Sequence, residues 1–264
     1  MRNLCMTVNY DGTRYNGFQT QPDGNTVQDH LEKAIASMIG ERPKIHGSGR
    51  TDAGVHAVGQ VFNFQTESPI PADRWPLALN GRLPRDIIVT GAREVSLEFH
   101  SRRSAKRKTY RYTINANQYP DVFLRHMQLH HPGKLNVGHM EEAFRHFVGT
   151  YDFTTFASRY SQKQSHVRTV LETRLEIDLS QTREHTRDQG ILHFYITGTG
   201  FLQHMVRIIM GTLIQVGEGK YRPEDIPGMI AACDRSAAGP TAVSKALTMW
   251  GVQYDEIDFG EPEA

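Results

Sequence analysis

Cysteine is nearly absent from this chain: its 264 residues include two, Cys5 and Cys233. Both sit among apolar neighbours with no metal-ligand spacing, which predicts buried free thiols in a reducing compartment rather than a disulfide framework. No stretch approaches the length needed to span a bilayer, and the opening Met1-Arg2-Asn3-Leu4 lacks the apolar run of a signal peptide. A cytoplasmic address is therefore expected. Neither sign of charge dominates, since 30 Lys and Arg against 29 Asp and Glu leave a formal net charge of +1. Bulk charge thus announces no nucleic-acid partner. Also missing are the Gly-x-Ser-x-Gly elbow of a serine hydrolase and the lysine of a P-loop. Histidine is plentiful at 13 residues, but there is no Glu-assisted histidine pair and no Cys-x-x-Cys, so no metal centre is expected.

What is present is an ordinary globular composition, 38% hydrophobic and 22% charged, in a chain long enough for one large core or two modest ones. Its charge is unevenly placed. Arg102, Arg103, Lys106, Arg107, Lys108 and Arg111 crowd a short stretch with no acid among them, whereas residues 255–264 are acidic. A basic strip in a neutral protein suits a polyanion docked on one face, and it equally suits a solvated edge strand.

Alternating and continuous apolar runs predict strands near 4–10, 58–65, 86–95, 105–115, 169–179, 191–197 and 248–254. Helices are predicted near 26–39, 75–80, 139–148, 201–216 and 223–233, the first capped by Asn25 or Thr26 and buried along Val27, Leu31, Ile35 and Met38. Residues 117–138, rich in Pro, Gly and His, form the best boundary. The expected organisation is an N-terminal half over 1–116, a connecting segment over 117–138 and a C-terminal half over 139–264. Both halves mix helices with strands, so the fold class is α+β.

Three segments carry chemistry. In Gly47-Ser48-Gly49-Arg50-Thr51-Asp52-Ala53-Gly54-Val55-His56-Ala57, the glycines allow tight backbone that presents Arg50 and Asp52 together. Asp52 is either a turn-capping acid or a functional carboxylate that Arg50 helps to keep ionised. The apolar run 201–211 predicts a buried helix with Gln203, Arg207 and Gly211 on one stripe. Arg207 on such a helix either reaches the surface or pairs with a buried acid, for which Asp52 is the candidate. Tyr110 lies in the strand Lys106-Arg107-Lys108-Thr109-Tyr110-Arg111-Tyr112, where aromatics among cations fit stacked bases and phosphates, or simply cover a core.

Together these segments resemble the tRNA pseudouridine synthase A family. Its signature is matched almost letter for letter by Gly49-Arg50-Thr51-Asp52-Ala53-Gly54-Val55-His56-Ala57. Supporting matches are Tyr10-Asp11-Gly12-Thr13, Tyr15-Asn16-Gly17-Phe18-Gln19, Thr26-Val27-Gln28-Asp29, Lys108-Thr109-Tyr110-Arg111-Tyr112, Asp152-Phe153-Thr154-Thr155-Phe156, Val167-Arg168 and Phe201 to Arg207. The likeness runs from about residue 4 to about residue 254. It implies the pseudouridine synthase fold, with two mixed halves sharing a largely antiparallel sheet and an active-site cleft between them. By position it implies Asp52 as the catalytic aspartate, Arg50 as the arginine that displaces the target base, Tyr110 as the stacking tyrosine and Arg207 as the partner of the acid. Leu247 matches a pocket leucine, although Ala246 stands where the family keeps glycine. No cofactor is implied. The expected partner is tRNA, held across a homodimer, with targets at positions 38, 39 and 40 of the anticodon stem and loop. Arg102, Arg103, Lys106 and Lys108 are expected to meet the RNA backbone. Two rivals stand beside this reading: an RNA-binding module without activity, and a synthase acting on another RNA such as ribosomal RNA.

Overall fold

A computed structural model describes residues 1–161 and 163–260, so the end of the expected acidic stretch, from 261 to 264, lies outside the described residues. Along the first part of the chain run β1 (Arg2–Tyr10), α1 (Val27–Ile39), β2 (His46–Gly47), β3 (His56–Thr66), α2 (Trp75–Asn80), β4 (Ile87–Val95) and β5 (Arg107–Asn115). Then follow β6 (Leu129–His130), α3 (Val137–Arg145), β7 (Gly149–Asp152), β8 (Val167–Asp178) and β9 (Ile191–Gly198). The chain continues through α4 (Met205–Gly217), α5 (Asp225–Ala231) and β10 (Leu247–Gln253). This is the α+β mixture that the apolar periodicities predict. No helix among the described residues is long and apolar enough to cross a membrane.

Two compact units divide the chain: Met1–Lys108 with everything from Thr248 onward, and Thr109–Leu247. The cuts fall after Lys108 and Leu247 rather than around 117–138. Long-range strand pairing is the reason. β10 pairs in parallel with β3, Thr248 opposite His56 and Met249 opposite Ala57, which draws the end of the chain into the first unit. β6, inside the expected connector, pairs with β5 through Ile114–Leu129 and Asn115–His130 and so belongs to the second unit's sheet.

In the first unit the strand order is β4-β1-β3-β10, with β2 paired to β3. β1 runs antiparallel to both β3 and β4. Flanked on each edge, it buries both faces, and Leu4, Met6 and Val8 are fully enclosed. α1 starts where the Thr26 hydroxyl accepts from the Asp29 N–H and the Asp29 carboxylate accepts from the Thr26 N–H, a reciprocal cap worth about 1 kcal/mol. Val27, Leu31 and Ile35 are buried as expected, while Met38 is only partly so. Trp75 at the head of α2 meets Phe64 of β3 edge-on at 5.4 Å, so this helix closes the apolar face of the sheet.

The second unit's sheet runs β5-β9-β8-β7. Phe194 of β9 meets Phe144 of α3 edge-on at 5.5 Å, and α4 is buried almost all round. α4 begins at Met205, not at residue 201, because His204 adopts φ 61 in the left-handed region, where no helix continues. Gln203 is consequently exposed and stands off the helix that the spacing assigned to it. Cys5 is buried as predicted, but Cys233 is exposed; it follows the end of α5 at φ 47, where the chain turns away from the core.

Candidate active site

The loop between β2 and β3, residues 48–55, has no regular structure of its own, and neighbouring elements hold it by its backbone. At its start, the Ser48 N–H donates to the Val61 carbonyl at 2.7 Å and the Gln60 amide donates to the Gly49 carbonyl at 3.0 Å. Lys108 donates to the Ser48 carbonyl at 2.6 Å. Burial and the nearby Arg102 charge lower the Lys108 ammonium to about 8. Lys108, expected on the RNA backbone, is thus half-buried and uses its ammonium to pin the loop.

Further along, the Phe18 N–H donates to the Thr51 carbonyl at 3.2 Å, the Gly54 N–H donates to the Tyr15 carbonyl at 3.3 Å, and the Tyr10 and Thr51 hydroxyls share a buried bond of 2.8 Å. Burial raises the Tyr10 phenol well above its ordinary range, so it stays a neutral hydrogen-bonding group. The segments Tyr10-Asp11-Gly12 and Tyr15-Asn16-Gly17-Phe18 therefore act as a clamp on the loop. Sequence reasoning found both motifs and missed this role, because only the folded chain brings them to Thr51.

Asp52 opens a four-residue turn. Its carbonyl accepts from the Val55 N–H at 3.1 Å, and Gly54 at the third position has φ +75. That is the type II pattern, which requires glycine-like freedom there. The turn leaves Asp52 half-buried, whereas Arg50 is exposed and donates from Nε to the Gln19 side chain. Thr51, between them, points inward and is buried. The loop thus sends alternate side chains to opposite fates, with the acid and the cation on the accessible side.

The remaining basic residues of the strip differ in setting. Arg102 and Arg103 are exposed, and Lys106 is exposed with an ion pair to Asp255 at 2.9 Å. A pair of imidazoles, His46 and His100, stacks near them at 4.5 Å. Burial, then the Lys44 and Arg103 charges, lower His46 below its ordinary range; burial, then the His46 ring and the Arg103 and Arg102 charges, lower His100.

In the second unit, Arg207 is half-buried on the largely apolar α4. Its Nε donates to the Ala242 carbonyl at 2.8 Å, and the Ala242 N–H donates back to the Arg207 carbonyl at 3.0 Å. The segment 239–242 can cross α4 this closely because residue 211 is glycine: a Cβ there would lie 1.8 Å from the Pro240 carbonyl oxygen. Tyr110 is buried on β5 with its ring edge-on to Phe201 at 5.3 Å and 87°. Tyr112, two residues on, is fully buried and donates to the Val243 carbonyl at 3.3 Å. Leu247 is buried at the start of β10. Among the described residues no group of three or more His, Cys, Asp or Glu is arranged to hold a metal ion.

The first unit therefore gathers Arg50 and Asp52 on one clamped turn, and the second carries Tyr110, Arg207 and Leu247 on regular elements. Comparison with known proteins covers most of both units. The family profile described as tRNA pseudouridine synthase covers residues 6–102 and 143–255. The tRNA pseudouridine synthase A of Bacillus subtilis (strain 168) is 47% identical over 257 residues, spanning 97% of this chain and all of that protein. Its counterpart in Acetivibrio thermocellus is 44% identical over 254 residues, 96% of this chain and again the whole relative. With the profile covering both units and full-length relatives at this identity, the chain belongs to the tRNA pseudouridine synthase family.

Proposed function

We propose that the chain converts uridine to pseudouridine at positions 38, 39 and 40 of the tRNA anticodon stem and loop, with Asp52 as the catalytic carboxylate. The observation that supports this most directly is the clamped turn. A half-buried carboxylate heads a turn held by Tyr15 and Phe18 through its backbone and by Tyr10 through Thr51, so its position relative to a bound base is fixed before substrate arrives. The reaction breaks the bond from ribose C1′ to uracil N1 and forms one from C1′ to C5; C5 loses its proton and N1 gains one. No electrons are gained or lost. Asp52 serves as nucleophile or base at the ribose or at uracil C6. The target must leave its stack, which costs a few kcal/mol; Arg50, exposed two residues away, and Tyr110 help to offset that cost. Arg207 and Leu247 complete the substrate-binding set, and Arg102, Arg103 and Lys106 contact the RNA backbone. The enzyme works as a homodimer in the cytoplasm.

The test uses tRNA carrying tritium at uracil C5, because each turnover expels that atom. Wild type should release tritium, and Asp52→Asn should release none while still binding tRNA. Tight tRNA binding without release by the wild type would overturn the reading and direct the search to ribosomal RNA or to a binding-only role.

A further inference from the structure

The second unit contains a cavity that none of these assignments uses. The loops 157–161 and 234–242 line an open hollow of about 470 Å³ beside the start of α4, a volume suited to a small ligand or one nucleotide. Both loops are held by backbone hydrogen bonds. The Ser158 N–H donates to the Gln203 carbonyl, the Asp234 N–H to Thr155 and the Gly239 N–H to Thr212, each at 3.0 Å. The walls are therefore built rather than incidental to an exposed loop.

Their chemistry is that of an oxyanion site. Arg159 and Arg235 both line the cavity, with Ser158 and Thr241 adding hydroxyls. Burial, and then the neighbouring Arg159 charge, lower the Arg235 guanidinium below its ordinary range, so two cations share this space at each other's expense. Arg235 reaches Thr241 and the Ala238 carbonyl only through long contacts of 3.4 Å, which phosphate oxygens would readily replace. The adjacent acid, Asp234, is not part of the lining; its carboxylate accepts the Ser236 N–H at 2.9 Å and the Ser236 hydroxyl at 2.6 Å. His204 also lines the cavity and holds the left-handed backbone at φ 61, a strain that collects at ligand sites. At the rim stands Tyr160, 87% exposed, a flat aromatic face next to the two guanidiniums.

We infer that this cavity binds one nucleotide of the RNA substrate outside the reacting uridine, its phosphate on Arg159 and Arg235 and its base stacked on Tyr160. The inference rests on the RNA-modifying reading above and names a second contact for that RNA. It also gives the exposed Tyr160 and the clasp of residues 239–242 on α4 a shared purpose: the clasp fixes the cavity floor and Arg207 together.

The experiment measures tRNA affinity by filter binding over a range of salt, using the full chain and the variants Arg159→Gln, Arg235→Gln, Tyr160→Ala and Tyr160→Phe. Arg159 and Tyr160 are exposed, so their replacement leaves the fold in place, and thermal melts of every variant check this. Each arginine variant should weaken binding about tenfold and reduce the slope of log affinity against log salt by about one. Tyr160→Ala should lose about tenfold and Tyr160→Phe less than about twofold, the signature of stacking. In turnover, KM should rise with kcat nearly unchanged. Wild-type affinity and salt slope in folded Arg159→Gln and Tyr160→Ala would overturn the inference. So would tight binding of free uridine monophosphate, lost in Arg235→Gln, with tRNA affinity untouched, which would assign the cavity to a free nucleotide. Wild type that turns over while these variants bind normally sinks only the cavity. Variants that weaken tRNA binding in a wild type that releases no tritium sink only the reaction.

Discussion

The Asp52 loop and the Arg207 helix position their side chains by different means. The loop has no repeating backbone pattern, so each of its peptide groups needs its own partner, and Tyr15, Phe18, Gln60 and Lys108 supply them. The helix satisfies its own backbone and is held instead by close packing, down to a glycine that lets residues 239–242 cross it. A site fixed by hydrogen bonds should respond to lost donors and acceptors, and a site fixed by packing should respond to added volume. One substitution of the same kind in each place separates the two.

Gly211→Ala carries the largest expected effect. The new methyl would sit 1.8 Å from the Pro240 carbonyl oxygen, which is backbone and cannot rotate away. We expect a loss of about 3 kcal/mol or more, with the crossing segment displaced and Arg207 separated from Ala242. Thermal and urea unfolding measure the first, and tritium release the second; a melt within error of wild type would show that the packing account of α4 is wrong. In the loop, Tyr10→Phe removes only a hydroxyl from an enclosed pair and leaves Thr51 without that partner. The expected cost is about 2 kcal/mol in stability with a lower kcat, since the turn loosens while the apolar volume is kept. Gly54→Ala is milder. Its Cβ strains a turn at φ +75, for about 1 kcal/mol, and activity should fall more than stability because the strain lies beside Asp52.

These contrasts mirror what the amino-acid sequence makes legible. Local chemistry reads well: Thr26 and Asp29 announce the cap of α1, and Gly54 announces the turn under Asp52, because each depends on neighbours within four residues. Long-range constraints do not. The apolar run 201–216 reads as a single helix, yet its first four residues are pulled out of it by His204. Gly211 reads as a stripe residue, since nothing local reveals that Pro240 crosses it. The unit boundaries are hidden for the same reason, as the parallel pairing of β10 with β3 joins residues nearly two hundred positions apart. The residues of the candidate site were legible through the family likeness. Their supports, Tyr10 under Thr51 and Ala242 against Arg207, became visible only in the fold.

A pH titration gives the smallest effect and tests whether packing in the second unit carries a hidden cost. His193 on β9 has Nδ1 3.2 Å from the Thr113 hydroxyl, and burial, then the nearby Arg111 charge, lower its pKa to about 4 against a weaker opposing pull from Asp178. A histidine lowered in the folded state binds its proton first in the unfolded chain. Stability is therefore intact above the ordinary histidine value of about 6.5, declines as pH falls towards about 4, and levels off below that. A shift of this size corresponds to about 3 kcal/mol for a sealed group, and the ring's partial access to water reduces the expectation to about 1 kcal/mol. His193→Gln keeps a hydrogen-bonding group beside Thr113 and cannot titrate. Denaturant midpoints between pH 7 and pH 4 should fall less steeply in this variant than in wild type, the residual slope coming partly from His46 and His100, which are shifted in the same direction in the first unit. Equal slopes would mean that His193 gains its proton in the folded protein as easily as in the unfolded one, and that the second unit hides no such ionisation cost behind its packing.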